Sequence, residues 1–166
     1  AVCKEYATKF IHISTDYVFD GNGTTPYATD APTNPQSVYG ASKLKGEEEA
    51  MLYNPDSLII RTSWVYSEFG KNFVKTMRKL MSERDELNVV SDQIGSPTYA
   101  ADLAQVIMEI IARGKWVPGI YHFSNSGVIS WYDLPLQSVI SAAFNAGYSQ
   151  FPAISTPHRP NVQPIL

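Results

Sequence analysis

Only one cysteine, Cys3, occurs in 166 residues, so the chain cannot close an internal disulfide. A disulfide-stapled secreted scaffold is thereby excluded, and a reducing cytoplasm is the setting this usage fits. Charge is sparse as well: charged residues are 17% of the chain, and the net charge is −3. Without a Lys/Arg run, the chain lacks the electrostatic footprint of a nucleic-acid binder or of a protein held on an anionic bilayer. No apolar stretch approaches the roughly 18 residues of a membrane helix. His and Cys never cluster at metal-ligand spacing, so no protein-built metal site is expected. Neither G-x-G-x-x-G nor G-x-x-G-x-x-G occurs, and Gly21-Asn22-Gly23, followed by TTP, reads as a turn.

What is present suits a globular domain. Hydrophobic residues are 44% of the chain, enough at this length for one real core. Its ends, AVCKEY and NVQPIL, carry neither an initiator Met nor a closing helix, so the chain reads as a piece of a longer protein.

Phe10 to Ile13 is a short apolar run, expected as a buried strand that ends at Ser14-Thr15-Asp16. A loop of about twenty residues rich in Asp, Asn, Gly and Pro follows, long enough to suggest function. Helical spacing runs from Val38 to about Tyr53 through Val38, Ala41, Leu44, Met51 and Leu52, and Asn54-Pro55 ends it. Leu58 to Tyr66 predicts a second strand. Asn72 to Arg84 is amphipathic, with Phe73, Met77, Leu80 and Met81 on one side. Leu87 to Val90 predicts a strand, Ala100 to Arg113 a helix closed by Gly114, and Gly119 to Ser124 a third main strand. Trp131 to Ala146 reads as helix with Pro135 in its first turn, and the last twenty residues read as irregular.

Strands alternating with helices mean a parallel α/β sheet, whose ligands sit at the C-terminal strand ends. Three places qualify: Ser14-Thr15-Asp16, Thr62-Ser63-Trp64, and the loops around Gly95.

Tyr39 and Lys43 open the helix beside the first of these, four residues apart and therefore on one face. A plain reading makes Tyr39 a surface residue and pairs Lys43 with Glu47, one turn further on. The context favours chemistry: a strand ends in Ser-Thr, a loop follows, and the helix opens among Gly40, Ala41, Ser42 and Gly46. Small residues let a helix approach a sheet or a flat cofactor closely. An ordinary phenol titrates near ~10, and a fixed cation beside it favours the phenolate, as proton transfer at neutral pH requires.

In order, the chain carries HISTDYVFDG, YGASKLKGE, RTSWVYSEFGKNFVKTM, VVSDQIGSPTYAADLA and GIYHFSNSGVISWYDL. Together these blocks resemble the dTDP-4-dehydrorhamnose reductase family, in the nucleotide-sugar branch of the extended short-chain dehydrogenase/reductases. The resemblance runs from about Lys9 to Trp131. It implies a Rossmann-like parallel sheet, incomplete here because the family's glycine fingerprint precedes this region, with a smaller substrate-binding lobe. Residues 1–66 would be the second half of the cofactor domain. Residues 67–166 would be mostly the substrate lobe, with a segment of about 88–113 returning to the sheet.

The implied reaction uses NADPH or NADH to reduce the C4 keto group of dTDP-4-dehydro-6-deoxy-L-mannose. Tyr39 would protonate the C4 oxygen, Lys43 would support it and hold the cofactor ribose, and Thr15 would bind the same oxygen. Ser14 would touch the cofactor. Asp16 would hold the sugar, Trp64 would lie against its ring, and Asn72, Gln93 and Pro97 would approach the nucleotide. Some members bind magnesium at a contact between subunits, which leaves a homodimer open, and no residue here is assigned to the metal. The implied location is the cytoplasm.

Plainer readings stand beside these. Trp64 suits simple core packing. His12 and His122 alternate with apolar residues and read as satisfied core histidines. Glu47-Glu48-Glu49 reads as a solvated helix face. Arg159-Pro160 runs into NVQPIL where relatives continue to a serine, a Leu-Asp pair and a helix, so the fragment alone is expected to be inactive. The alternatives to the reductase are an epimerase or dehydratase of the same superfamily and a non-catalytic regulatory subunit.

Overall fold

The computed structural model describes residues 2–136 and the strand at 153–155. In chain order the elements are α1 (Val2–Glu5), β1 (Ile11–Thr15), a 3-10 turn over Asp16–Val18, α2 (Val38–Tyr53), β2 (Leu58–Thr62) and β3 (Val65–Tyr66). There follow α3 (Phe73–Glu83), β4 (Glu86–Asn88), β5 (Ile94–Gly95), β6 (Thr98–Tyr99), α4 (Ala100–Ala112), β7 (Gly119–His122), β8 (Ile129–Ser130) and β9 (Ala153–Ser155).

The main sheet is parallel throughout, in the order β1-β2-β7, with Ile13 beside Ile60 and Ile60 beside Tyr121. The central strand, LIIRT, is buried at every position, as a strand covered on both faces must be. Side chains alternate along it. Leu58 and Ile60 join Leu103 of α4 in a core cluster that Ile11, Ile13, Ile107 and Ile110 extend. Ile59 and Arg61, one position off, face the side on which α2 lies. A second cluster, of Met77, Met81, Leu87 and Val89, holds α3 against β4, with Phe73, Leu80 and Trp131 packed on it.

α3 matches the amphipathic pattern expected of it, and Asn72 caps it, accepting from the Lys75 amide at 3.0 Å. α2 does not dock as its spacing suggests. Val38 is 88% and Leu52 67% exposed, while the helix buries only Gly40 and Glu47. Glycine allows the close approach and a paired carboxylate supplies the anchor, so an apolar stripe is not what holds this helix. Exposed Lys45–Glu48 and Lys45–Glu49 pairs on its outer face are screened by solvent and do not set its position.

Two strands depart from expectation. Leu58 to Tyr66 is not continuous: Trp64 adopts φ +50, the backbone turns, and Val65–Tyr66 pairs with β6 in a separate ladder. Within the last twenty residues, expected to be irregular, β9 pairs in parallel with β4. The helix expected over Trp131 to Ala146 lies mostly outside the described residues; residues 133–136 are helical. Ser130 and Asp133 form a reciprocal cap there, the Ser130 hydroxyl accepting from the Asp133 amide while the Asp133 carboxylate accepts from the Ser130 amide. No helix among the described residues is long and apolar enough to cross a membrane.

Candidate active site

β1 delivers Thr15 to the C-terminal edge of the sheet, where its extended backbone starts the 3-10 turn. The Thr15 hydroxyl donates to Asp16 Oδ1 at 2.8 Å and accepts from the Tyr17 amide at 3.3 Å. Asp16 is 5% exposed. Burial pushes its carboxyl up to about 6, against the opposing effect of the Thr15 hydrogen bond.

Across from this turn, Ser37 caps α2, its Oγ accepting from the Gly40 amide at 3.0 Å. Gly40 lies against the Tyr17 carbonyl, and this approach sets Tyr39 edge-on to Tyr17, with ring centroids 5.9 Å apart. Tyr39 is 57% exposed. Lys43, one turn on, donates Nζ to the Ile13 carbonyl at 2.5 Å. Lys43 thus reaches β1 two residues before Thr15, and Tyr39 meets Tyr17 of the turn that follows it.

The plain pairing of Lys43 with Glu47 is not formed. Glu47 is 2% exposed rather than solvated, and it meets Arg61 of β2. Arg61 Nε lies 2.9 Å from Oε1 and Nη2 lies 2.7 Å from Oε2. Ser14, expected to face the cofactor, donates its buried hydroxyl to Glu47. Arg61 also donates Nη1 to the Thr29 carbonyl at 3.1 Å and stacks over Phe19. Desolvating two charges costs several kcal/mol per ion, which only such a fork of hydrogen bonds can offset. His12 is no satisfied core histidine: its Nε2 is buried without a hydrogen-bond partner, beside Gly46. Burial is the main cause holding its imidazole below its ordinary value, with the Lys43 charge adding to it and that of Glu47 opposing it. His122 stands edge-on to Phe19.

A cavity of about 220 Å³ opens beside the turn, lined among others by Asp16, Tyr17, Gln36, Ser37, Trp64, Gln93 and Trp131. Trp64 forms its wall. Its indole stacks on Trp131 at 3.9 Å between centroids, and the carbonyl accepts from the Thr98 amide. Gly95 passes so close that a Cβ there would stand 2.8 Å from the Trp64 ring. A series of buried hydroxyls fixes these loops on one another: Thr62 on Thr98, Ser63 on the Ser96 carbonyl, Ser96 on the Gly127 carbonyl. A left-handed non-glycine residue costs about 1–3 kcal/mol, and this network holds Trp64 there.

A family model described as the RmlD substrate binding domain matches residues 1–164. The chain belongs to that family. It is 56% identical over 125 residues to the spore coat polysaccharide biosynthesis protein SpsK of Bacillus subtilis, covering 75% of this chain and 43% of that protein. A dTDP-4-dehydrorhamnose reductase of Sinorhizobium fredii is 51% identical over 126 residues, covering 73% and 43%. The solved dTDP-4-dehydrorhamnose reductase of Bacillus anthracis in complex with NADP superposes with a TM-score of 0.84 at 36% identity, covering 99% of this chain and 58% of that one. The chain thus spans less than half the length of these two curated relatives.

In this RmlD-family chain, Asp16, Trp64 and Gln93 share the cavity, and Tyr17 links its wall to Tyr39. The other expected residues, Ser14, Thr15, Tyr39, Lys43, Asn72 and Pro97, are not part of its lining. Asn72 spends its amide on the α3 cap and on the Ser67 carbonyl, and the Pro97 carbonyl accepts from the Asn125 amide. Sequence reasoning missed Gln36, Ser37 and Trp131 as lining. Ser37 had a signal, since a helix cap beside a catalytic candidate lies at the same strand ends. Trp131, distant in sequence, had none.

Proposed function

We propose that this chain carries the proton-donating and sugar-binding face of a dTDP-4-dehydrorhamnose reductase, the activity belonging to the full gene product. The observation that supports this reading is that α2 anchors Lys43 on the Ile13 carbonyl of β1 and sets Tyr39 against Tyr17, on either side of Thr15 in the chain. The names of the Sinorhizobium and Bacillus anthracis relatives support it. Residues 1–66 then form the catalytic half, and the later segments supply most of the sugar pocket.

The site suits the reacting end of a nicotinamide cofactor. A phenol left exposed and an ammonium anchored on the Ile13 carbonyl of β1 leave a face on which a flat ring and its ribose can rest. Residues that would hold that end are Tyr39 and Lys43. When bound, NADPH or NADH supplies hydride to C4 of dTDP-4-dehydro-6-deoxy-L-mannose. Tyr39 gives its phenolic proton to the C4 oxygen, and Lys43 favours the phenolate left behind. Thr15 holds the same oxygen by turning its hydroxyl from Asp16. Trp64 lies along the sugar, Asp16 accepts from a sugar hydroxyl, and Gln93 reaches toward the nucleotide.

The test is to mix the full gene product with the dTDP-4-keto sugar and NADPH and to follow loss of the reduced nicotinamide. Substrate-dependent oxidation that ends in dTDP-L-rhamnose is expected. Turnover of the sugar without net oxidation would assign the site to an epimerase or dehydratase instead.

A further inference from the structure

Residues 43 and 47 stand one helical turn apart, a spacing at which such a pair can form even with Lys before Glu, the less favourable of the two orders. The same helix makes that pair elsewhere: Lys45 and Glu49 meet at 2.9 Å on its exposed face. Lys43 and Glu47 do not. The difference between the two faces is Arg61, whose guanidinium takes both oxygens of Glu47 while Ser14 supplies a further donor. Lys43 turns to the uncharged Ile13 carbonyl.

We propose that Arg61 is a positioning residue: by holding Glu47 on β2, it leaves the Lys43 ammonium uncompensated beside Tyr39. This rests on the reading that Lys43 serves Tyr39 in the reaction, and adds a residue that touches neither substrate nor cofactor. The charges sort accordingly. Arg61 and Glu47 cancel one another within the buried fork, both about 4% exposed or less. The His12 imidazole on β1 feels Lys43 and Glu47 with opposite signs, which puts both charges within electrostatic reach of one group. The groups facing Lys43 are thus His12 from β1 and Glu47 from its own helix, with Arg61 behind Glu47 from β2. Facing Tyr39 is Tyr17 from the 3-10 turn, itself beside Asp16, and Lys43 follows Tyr39 by one turn on the same face of α2. Of these, Glu47 is the anion that lies one turn from Lys43. Without Arg61, the Glu47 carboxylate has Lys43 as its available cation, and the field at the phenol is partly cancelled.

The experiment measures kcat, KM for both substrates and the pH–rate profile of the full gene product carrying three changes. Arg61→Met is expected to lower kcat about tenfold or more with both KM values within about twofold, and to move the profile to higher pH. Adding Glu47→Gln to Arg61→Met removes the competing carboxylate and is expected to return kcat to within about threefold of wild type. Arg61→Lys keeps a cation on Glu47 and is expected to retain at least about a third of kcat. Wild-type kcat in Arg61→Met overturns the proposal, and so does a double variant as slow as the single one, since the ion pair itself would then be what matters. Should Arg61→Met not fold, the double variant, whose pair is neutral, decides by the same threshold. Tyr39→Phe is the control: if it turns over normally, the reading of Tyr39 as acid fails, and that result is distinct from any outcome at Arg61.

Discussion

Gly40 and the Tyr17 carbonyl stand in direct contact: a Cβ built on Gly40 would lie 2.1 Å from that oxygen. The opposing atom is backbone, so no side chain can swing aside. Gly40→Ala is therefore expected to cost about 1–3 kcal/mol through overpacking, a fall of roughly 2–4 °C in Tm per kcal/mol at this size. Tyr39 would shift with the helix, so turnover should fall along with Tm. A melting temperature equal to that of the wild type would contradict the contact.

Tyr39→Phe removes the phenolic proton and keeps the ring that meets Tyr17 edge-on. Turnover of the full gene product should fall by the ~10²–10⁴ of a lost general acid, with stability nearly unchanged. Steady-state kinetics and a thermal melt on the same preparation check both halves.

Asp16 gives a pH dependence with a definite sign. Its folded carboxyl titrates at about 6 against an ordinary 3.8, because burial disfavours the charge. The folded state thus binds the proton more tightly. Its contribution to stability is full below pH 3.8 and is lost as pH rises through about 6. Asp16→Asn cannot ionise, so its stability relative to wild type should rise across that window by something on the order of 3 kcal/mol. Chemical denaturation from pH 4 to 7 reads this, and a difference that stays flat with pH would refute the burial argument.

Gly95→Ala tests the pocket wall without touching the catalytic group. The added methyl would meet the Trp64 ring at 2.8 Å and push the indole off its stack with Trp131. KM for the dTDP-sugar is expected to rise severalfold while kcat falls less, since the loss is in binding. An unchanged KM would remove Trp64 from the sugar site.

Much of this was legible in the residues. Alternating strand and helix patterns predicted the parallel sheet, and the pairing of β1 with β2 and β7 follows that pattern. That β1 ends at Thr15 and α2 opens beside Tyr39 was readable because strand end and helix start are local features that carry their own signals. The burial of Glu47 was not. Three consecutive glutamates look solvated, and only Arg61, on another element, makes one of them an anchor. The docking face of α2 was hidden for the same reason, since glycine and a carboxylate carry no hydrophobic period. Nor did LIIRTSWVY announce its break, because every residue in it suits a strand and the turn depends on a left-handed Trp64 held by loops some 30 residues on.

The order of the main sheet is also the order of its synthesis. Of these three strands β1 and β2 leave the ribosome before β7 and can pair at once, while β7 follows β2 by about sixty residues. At roughly 5–20 residues per second, the second edge of β2 waits about 3–12 s for its partner. During that interval Leu58, Ile59 and Ile60, buried in the folded state, lie on a strand with one open edge. Slowing translation between residues 62 and 119 would lengthen that exposure, and chaperone demand would rise with it.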